Sequence, residues 1–432
     1  MRIEKSLLIQ RVLLVWFWVL TCTGFVNDEF LGSNRVVRSI SLLFTDATIL
    51  LLALWTIRNK WDMAVLISYV AISYWSTCIV NHLSWLMWIN GSRVFFGLIF
   101  VIPVLRYLWQ NEYRRERFIK EMDKTLLIYL CVQAVCIVWQ FLRYGAGDEV
   151  GGSLGFDFSG VASFSIYLIS FYLLHKRIDN DHFVYSIKEN WYLIALLFPT
   201  FLNETKISFI LIILYFLFLP NIDRKWFSRM AMVVPITLIF IVGGMTVYLD
   251  TVDDPFGGID LVEYLAGQDL EYETGAAEYH SLNSEETYDI PRIAKLAFLS
   301  VVFEENPRNL YSGFGVGIYK GYTNLSINPF AETYDWLVVG TNPYAYHVIL
   351  QLGVVGAIWA IILFVGCFVC PIGIATERDV SMQLMFMSCV VIMLIYSDYW
   401  SNLAFSFIVL LFLCLSWRVP EQRDSGIVES MS

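Results

Sequence analysis

The chain is dominated by apolar stretches about as long as a lipid bilayer is thick. They fall at residues 7–26, 40–57, 63–80, 93–109, 124–142, 158–174, 191–203, 206–220, 230–249, 345–370, 382–397 and 402–417. A helix needs about 20 mostly apolar residues to cross the hydrocarbon core. Open sheets are excluded there, because lipid offers no partner for their edge N–H and C=O groups. The pattern predicts an all-α, polytopic membrane bundle of about 12 transmembrane helices. Charged residues make up only 16% of the chain and mean hydropathy is +0.60, whereas soluble domains carry about 25% charge. The first run holds Trp16 and Trp18 and no small-residue cleavage site follows it, so it reads as a permanent span and not a removable leader. All eight cysteines lie inside apolar runs, which argues against a disulfide framework.

Orientation follows from the basic residues, which favour the cytoplasmic side. Arg58 and Lys60 follow the second run; Arg114, Arg115, Arg117, Lys120 and Lys124 follow the fourth. Lys176, Arg177 and Lys188 follow the sixth, Arg224, Lys225 and Arg229 the eighth, Arg378 the tenth, and Arg418 and Arg423 lie in the tail. Alternating spans put all of these on one side, with both termini. The expected layout is spans at 1–249, a large extracytoplasmic loop at 250–344, further spans at 345–417 and a cytoplasmic tail at 418–432.

The long loop is acidic, with 16 Asp and Glu between Asp250 and Thr341 against Arg292, Lys295, Arg308 and Lys320. Its second half, DIPRIAKLAFLSVVFEENPRNLYSGFGVGIY, changes character. Residues 290–303 show helical apolar spacing with Arg292 and Lys295 on a polar edge, Pro307 stops the helix and glycines follow. An amphipathic helix lying on the membrane surface fits this pattern. For 250–289 a disordered acidic loop is the competing reading.

Ionisable groups near membrane depth are costly and point to sites. In FLNETKISF, Glu204 and Lys206 interrupt one apolar stretch. Two short helices meeting at a charged break would build the floor of a cavity; the alternative is an outer loop with Lys206 snorkelling to the interface. Arg35, Arg38, Arg93, Arg143, Arg292 and Arg308 add outer-side cations, suited to an anion such as a lipid diphosphate. For Arg35, Arg38 and Arg93 an anchoring role is the simpler account. SGFGVGIYKGY is glycine-rich but follows a helix and a proline, unlike a nucleotide-binding turn. His347 stands at the entry to the tenth run, in TNPYAYHVILQLGVVGAI, where a hydrogen-bonded structural role competes with that of a base.

In order along residues 145–370, four stretches resemble the bacterial O-antigen polymerase and ligase superfamily: GSLGFDFSGVASF, LNETKISFILIIL, the DIPRIAKLAFLSVVFEENPRNLYSGFGVGIY segment, and TNPYAYHVILQLGVVGAI. The departures are specific. Lys206 stands where Arg is usual, Thr341 or Asn342 where the family histidine would fall, His347 about five residues further in, and Gln351 in place of Glu. Ligases rely on that histidine more strictly, so its displacement favours a polymerase.

The resemblance implies a glycosyltransferase type C-like membrane fold in the bacterial inner membrane, with the large loop periplasmic. It implies polymerisation of undecaprenyl-diphosphate-linked oligosaccharide repeats into surface polysaccharide, by metal-independent glycosyl transfer and without a cofactor. Arg292, Lys206, Arg143 and Arg308 become the expected diphosphate partners, and Arg292, His347, Glu204 and Glu304 the expected catalytic residues. Tyr344, Tyr346, Asn342 and Tyr311 become expected glycan contacts, although interface anchoring explains such tyrosines equally well. Membrane lipid and a chain-length regulator protein are the other partners to expect; nucleic acid is not. A ligase is the near alternative. A flippase or transporter is the distant one, set back by candidate charges on one side only and by the absence of a visible internal repeat.

Overall fold

The computed structural model describes residues 5–147, 149–156, 158–179, 181–203, 207–220, 226, 292–318, 329–334, 337, 342–366, 377–397 and 399–415. Among these residues every regular element is a helix. Six helical segments are long and apolar enough to cross a membrane: Lys5–Phe30, Arg35–Thr56, Lys60–Val80, Trp85–Trp109, Glu112–Tyr144 and Tyr344–Phe364. Trp191–Phe201, Ile207–Phe218, Val380–Tyr396 and Leu403–Cys414 are shorter apolar helices. The expected span at 230–249 lies outside the described residues. All six begin earlier than the apolar pattern predicts, most of all at Trp85 and Glu112 in place of 93 and 124.

The turns between spans explain where helices restart. Asn34, Asn59, Ser84 and Asn111 each cap the helix that follows, accepting from its first free N–H groups. Gly145, with φ +85°, ends the long Glu112–Tyr144 helix. Three helices form the inner column: α5 (Phe96–Trp109), α7 (Ser159–Arg177) and α16 (Leu403–Leu415). Residues of α7 are buried without interruption from Ser159 to His175. Close approach replaces hydrophobic drive in such a setting: α5 meets α16 where Gly97 lies against Ser406. The second and third spans instead turn Leu43, Leu51, Leu54 and Ile67 outward, as a lipid-facing surface requires.

The bundle has two chemically distinct ends. At one, Lys5, Arg58 and Arg114 stand over the buried Tyr107 ring at 5.4, 5.5 and 5.3 Å, and Lys176 pairs with Asp123. Among the described residues, these basic groups thus share one end of the bundle. At the other end the turns at 31–34, 81–84 and 145–158 carry no Lys or Arg, although arginines such as Arg35 and Arg143 flank them. Asp28 accepts from the Phe156 N–H at 2.9 Å. Gln133 and Gln140 of the Glu112–Tyr144 helix satisfy Ser153 and Gly152 N–H groups at 2.8 and 2.6 Å, so the irregular turn before α7 is held from within the bundle. Tyr344 N–H donates to the Ser397 carbonyl at 3.1 Å, tying the Tyr344–Phe364 helix to the end of the Glu377–Tyr396 helix.

The helix expected over 290–303 is present at Arg292–Glu305 and stops before Pro307. Its surroundings differ from those expected. Leu299, Val302 and Phe303 join Phe314, Phe330, Leu337, Tyr346 and Leu350 in a separate apolar cluster, and the helix packs on the Tyr344–Phe364 and Glu377–Tyr396 helices. Protein covers the side that carries Leu299, Val302 and Phe303, while Val301 is exposed. Lys295 is correspondingly not on a solvated edge: it is fully buried.

Candidate functional site

The Tyr344–Phe364 helix is broken at Gly353, whose φ of +64° lies in the left-handed region. The break frees the carbonyls before it. Two of them are taken up by the glycine-rich segment GFGVG at residues 313–317: Phe314 N–H donates to the Leu350 carbonyl at 2.8 Å and Gly315 N–H to the Gln351 carbonyl at 3.0 Å. The next two donors are also placed. Val316 N–H meets Thr77 Oγ1 at 2.8 Å, and Gly317 N–H meets Gln351 Oε1 at 3.0 Å. Four consecutive N–H groups are thus satisfied by a membrane helix and its neighbour, which is the accounting a buried segment demands.

The neighbour is shaped for this. Residues Trp75–Val80 form a π-helical turn, a widening often found at functional positions. From it Ser76 Oγ donates to the Gln351 carbonyl at 3.0 Å. Asn81 Nδ2 donates to the Gly313 carbonyl at 2.9 Å and Asn309 Nδ2 to Asn81 Oδ1 at 2.7 Å. Added Cβ atoms at Gly313 or Gly317 would overlap the backbone at Gln351 and at Met87, respectively, and all three loop glycines have φ between +69° and +99°. GFGVG is therefore a packing element of the bundle's non-basic end.

His347 stands one turn above this junction. It is 5% exposed, and its Nδ1 lies 3.2 Å from Nε2 of Gln351, itself 1% exposed. Asn342 is buried nearby in sequence at 5% exposure. Arg292 opens the covering helix, with its side chain outside the described residues, and the buried Lys295 follows one turn later. His347, Asn342 and Lys295 thus come to one end of the bundle on elements packed together. The sequence placed Lys295 only on a polar edge; the Arg292-to-Lys295 spacing was the available signal. Ser76, Thr77 and Asn81, which complete the junction, carried no local signal.

Several expected site residues stand elsewhere. Arg143 donates to Glu29 at 2.8 Å, and Trp139 and Tyr144 donate to the same oxygen at 3.2 and 3.4 Å; its charge is paired with a fully buried carboxylate side chain while its own side chain is half exposed. Arg93, another outer-side cation of the sequence, is ion-paired with Asp46. Tyr344 and Tyr346 are fully buried, Tyr344 between Phe95 and Trp400, and Tyr346 with its hydroxyl 3.4 Å from the Leu337 carbonyl. Neither offers a ring face to a sugar. Tyr311 is 63% exposed. Glu304 and Arg308 are exposed too, away from the buried node. Glu305 accepts from Tyr334, and burial with that carboxylate pushes the Tyr334 hydroxyl pKa up. Glu204 and Lys206 lie outside the described residues; the chain break beside them is visible in a 3-10 turn ending at Phe201 and a helix restarting at Ile207. Asn203 bridges it to α7 through the Ser159 carbonyl at 3.0 Å and Ser163 Oγ at 2.9 Å.

Among the described residues no three His, Cys, Asp or Glu side chains come together as a metal site. A small cleft lined by Trp61, Asp62, Leu98, Pro103 and Leu363 lies at the basic end, where Asp62 is engaged by Arg106. No protein-family model matches the chain, and no curated protein matches it in sequence.

Proposed function

We propose that this helical membrane protein is a glycosyltransferase that polymerises oligosaccharide repeats carried on undecaprenyl diphosphate, at the extracytoplasmic end of the bundle. The observation that carries the reading is the fully buried Lys295, on a helix that Arg292 opens and that packs on the helix bearing the buried His347. Ionisable groups are not retained in such surroundings without use. A lipid diphosphate leaving group needs positive charge held ready where negative charge develops. Arg292, Lys295 and Lys206 supply that charge in this proposal, and the broken helix at Gly353 fixes the wall against which the acceptor sugar is aligned.

Deletion of the gene, followed by gel analysis of the surface glycan, tests the reading. Loss of the polymer ladder with single repeats retained supports a polymerase. Accumulation of finished polymer on the lipid carrier would assign a ligase instead. An unchanged glycan contradicts both.

A further inference from the structure

We infer that Gln351 is a positioning residue that locks His347 in the tautomer with its proton on Nε2, so that His347 offers the site a hydrogen-bond donor and not a proton acceptor. The deduction starts from a backbone group whose role has no ambiguity. Gly317 N–H can only donate, so the Gln351 side-chain atom 3.0 Å away is the carbonyl oxygen Oε1. The opposite arrangement would set the amide NH₂ against the Gly317 N–H, donor against donor. With Oε1 fixed, Nε2 of Gln351 is the atom 3.2 Å from His347 Nδ1. An amide nitrogen can only donate, so Nδ1 must accept and carries no proton. A neutral imidazole holds one proton, which then sits on Nε2.

The lock is rigid because both of its supports are. The Gln351 carbonyl accepts from Gly315 N–H and Ser76 Oγ, each at 3.0 Å. Gly317 lies against the backbone of Gly91 and Met87, closely enough that an added Cβ would overlap it. The glycine-rich segment therefore sets the state of the histidine through one glutamine. A general base needs a lone pair for the incoming proton, and the only one on neutral His347 is held by Gln351. The role this leaves, donating from Nε2 to an oxygen that gains negative charge, rests on the glycosyl-transfer reading. The tautomer does not.

The test is ¹⁵N NMR of the full-length protein in lipid nanodiscs with labelled histidine. The chain has five histidines, and the His347 signals are those lost in His347→Gln. In the wild type, Nδ1 is expected bare and Nε2 protonated. In Gln351→Glu the carboxylate can accept from both Gly317 N–H and the ring, so Nδ1 is expected to gain a proton. A protonated Nδ1 in the wild type overturns the lock, and so does an Nδ1 that stays bare in a folded Gln351→Glu variant. If that variant does not fold, the wild-type spectrum decides alone. Absence of polymerising activity in the same wild-type preparation would count against the proposed function and leave the tautomer result standing.

Discussion

Arg292 and Lys295 stand one helical turn apart on the helix that covers the non-basic end of the bundle, and they are expected to fail differently from surface charges. A guanidinium grips a diphosphate through a planar fork, which an ammonium cannot reproduce. Arg292→Lys is therefore expected to impair polymer formation, and Arg292→Ala to impair it more, by about a hundredfold, the effect of on the order of 3 kcal/mol typical for one preorganised donor. Protein level should be unchanged in both, because a residue opening an outer helix is not needed for the spans. Equal activity in all three forms at matched protein level would return Arg292 to a solvated charge. His347 has its own signature. A donor role predicts that His347→Gln, which keeps an N–H, stays within about tenfold of wild type while His347→Ala falls by about a hundredfold. Equal loss in both would point to the proton-accepting role that the Gln351 contact argues against.

At the scale of elements, the central feature is the interlock of residues 313–317 with the break at Gly353. Gly353→Ala forces a side chain into the left-handed region, at a cost of about 1–3 kcal/mol, and meets the backbone of Tyr311 and Gly313. The expected result is a lower melting temperature in detergent and faster proteolysis within residues 313–317, with Gly32→Ala, at the same left-handed φ of +62° but with nothing near its added Cβ, as the control for backbone strain alone. Unchanged melting and cleavage would mean that the loop is not held by this junction. Much of this region was legible in the sequence as parts: the helix at Arg292–Glu305, the stop at Pro307, the glycines, the histidine. Their assembly was not. Residues 313–317 pair with carbonyls some thirty-five positions later and with a π-turn far earlier in the chain, and neither contact has a local periodicity. Lys295 misled for the same reason: helical spacing places it beside Arg292, but only the packed neighbours decide whether that side is wet.

For the whole molecule, the apolar runs made the helical membrane class legible because each acts locally on insertion. Runs such as 158–174 and 402–417 read like the rest, yet they form the buried column with α5, since hydropathy does not separate a lipid-facing helix from a protein-facing one. The orientation is open to direct labelling. A cysteine placed at Ser284 is expected to react with an impermeant thiol reagent from outside, and one at Glu116 only after permeabilisation; the reverse pattern would put the His347 end in the cytoplasm and remove the proposed chemistry. The account's central claim, glycosyl transfer by this chain from a lipid diphosphate, is tested most directly in proteoliposomes supplied with purified lipid-linked repeat units and no other protein. A ladder of lengthening lipid-linked glycans, with one lipid diphosphate released for each linkage formed, is the expected result. Repeat units that remain single while protein insertion and orientation are normal would contradict it.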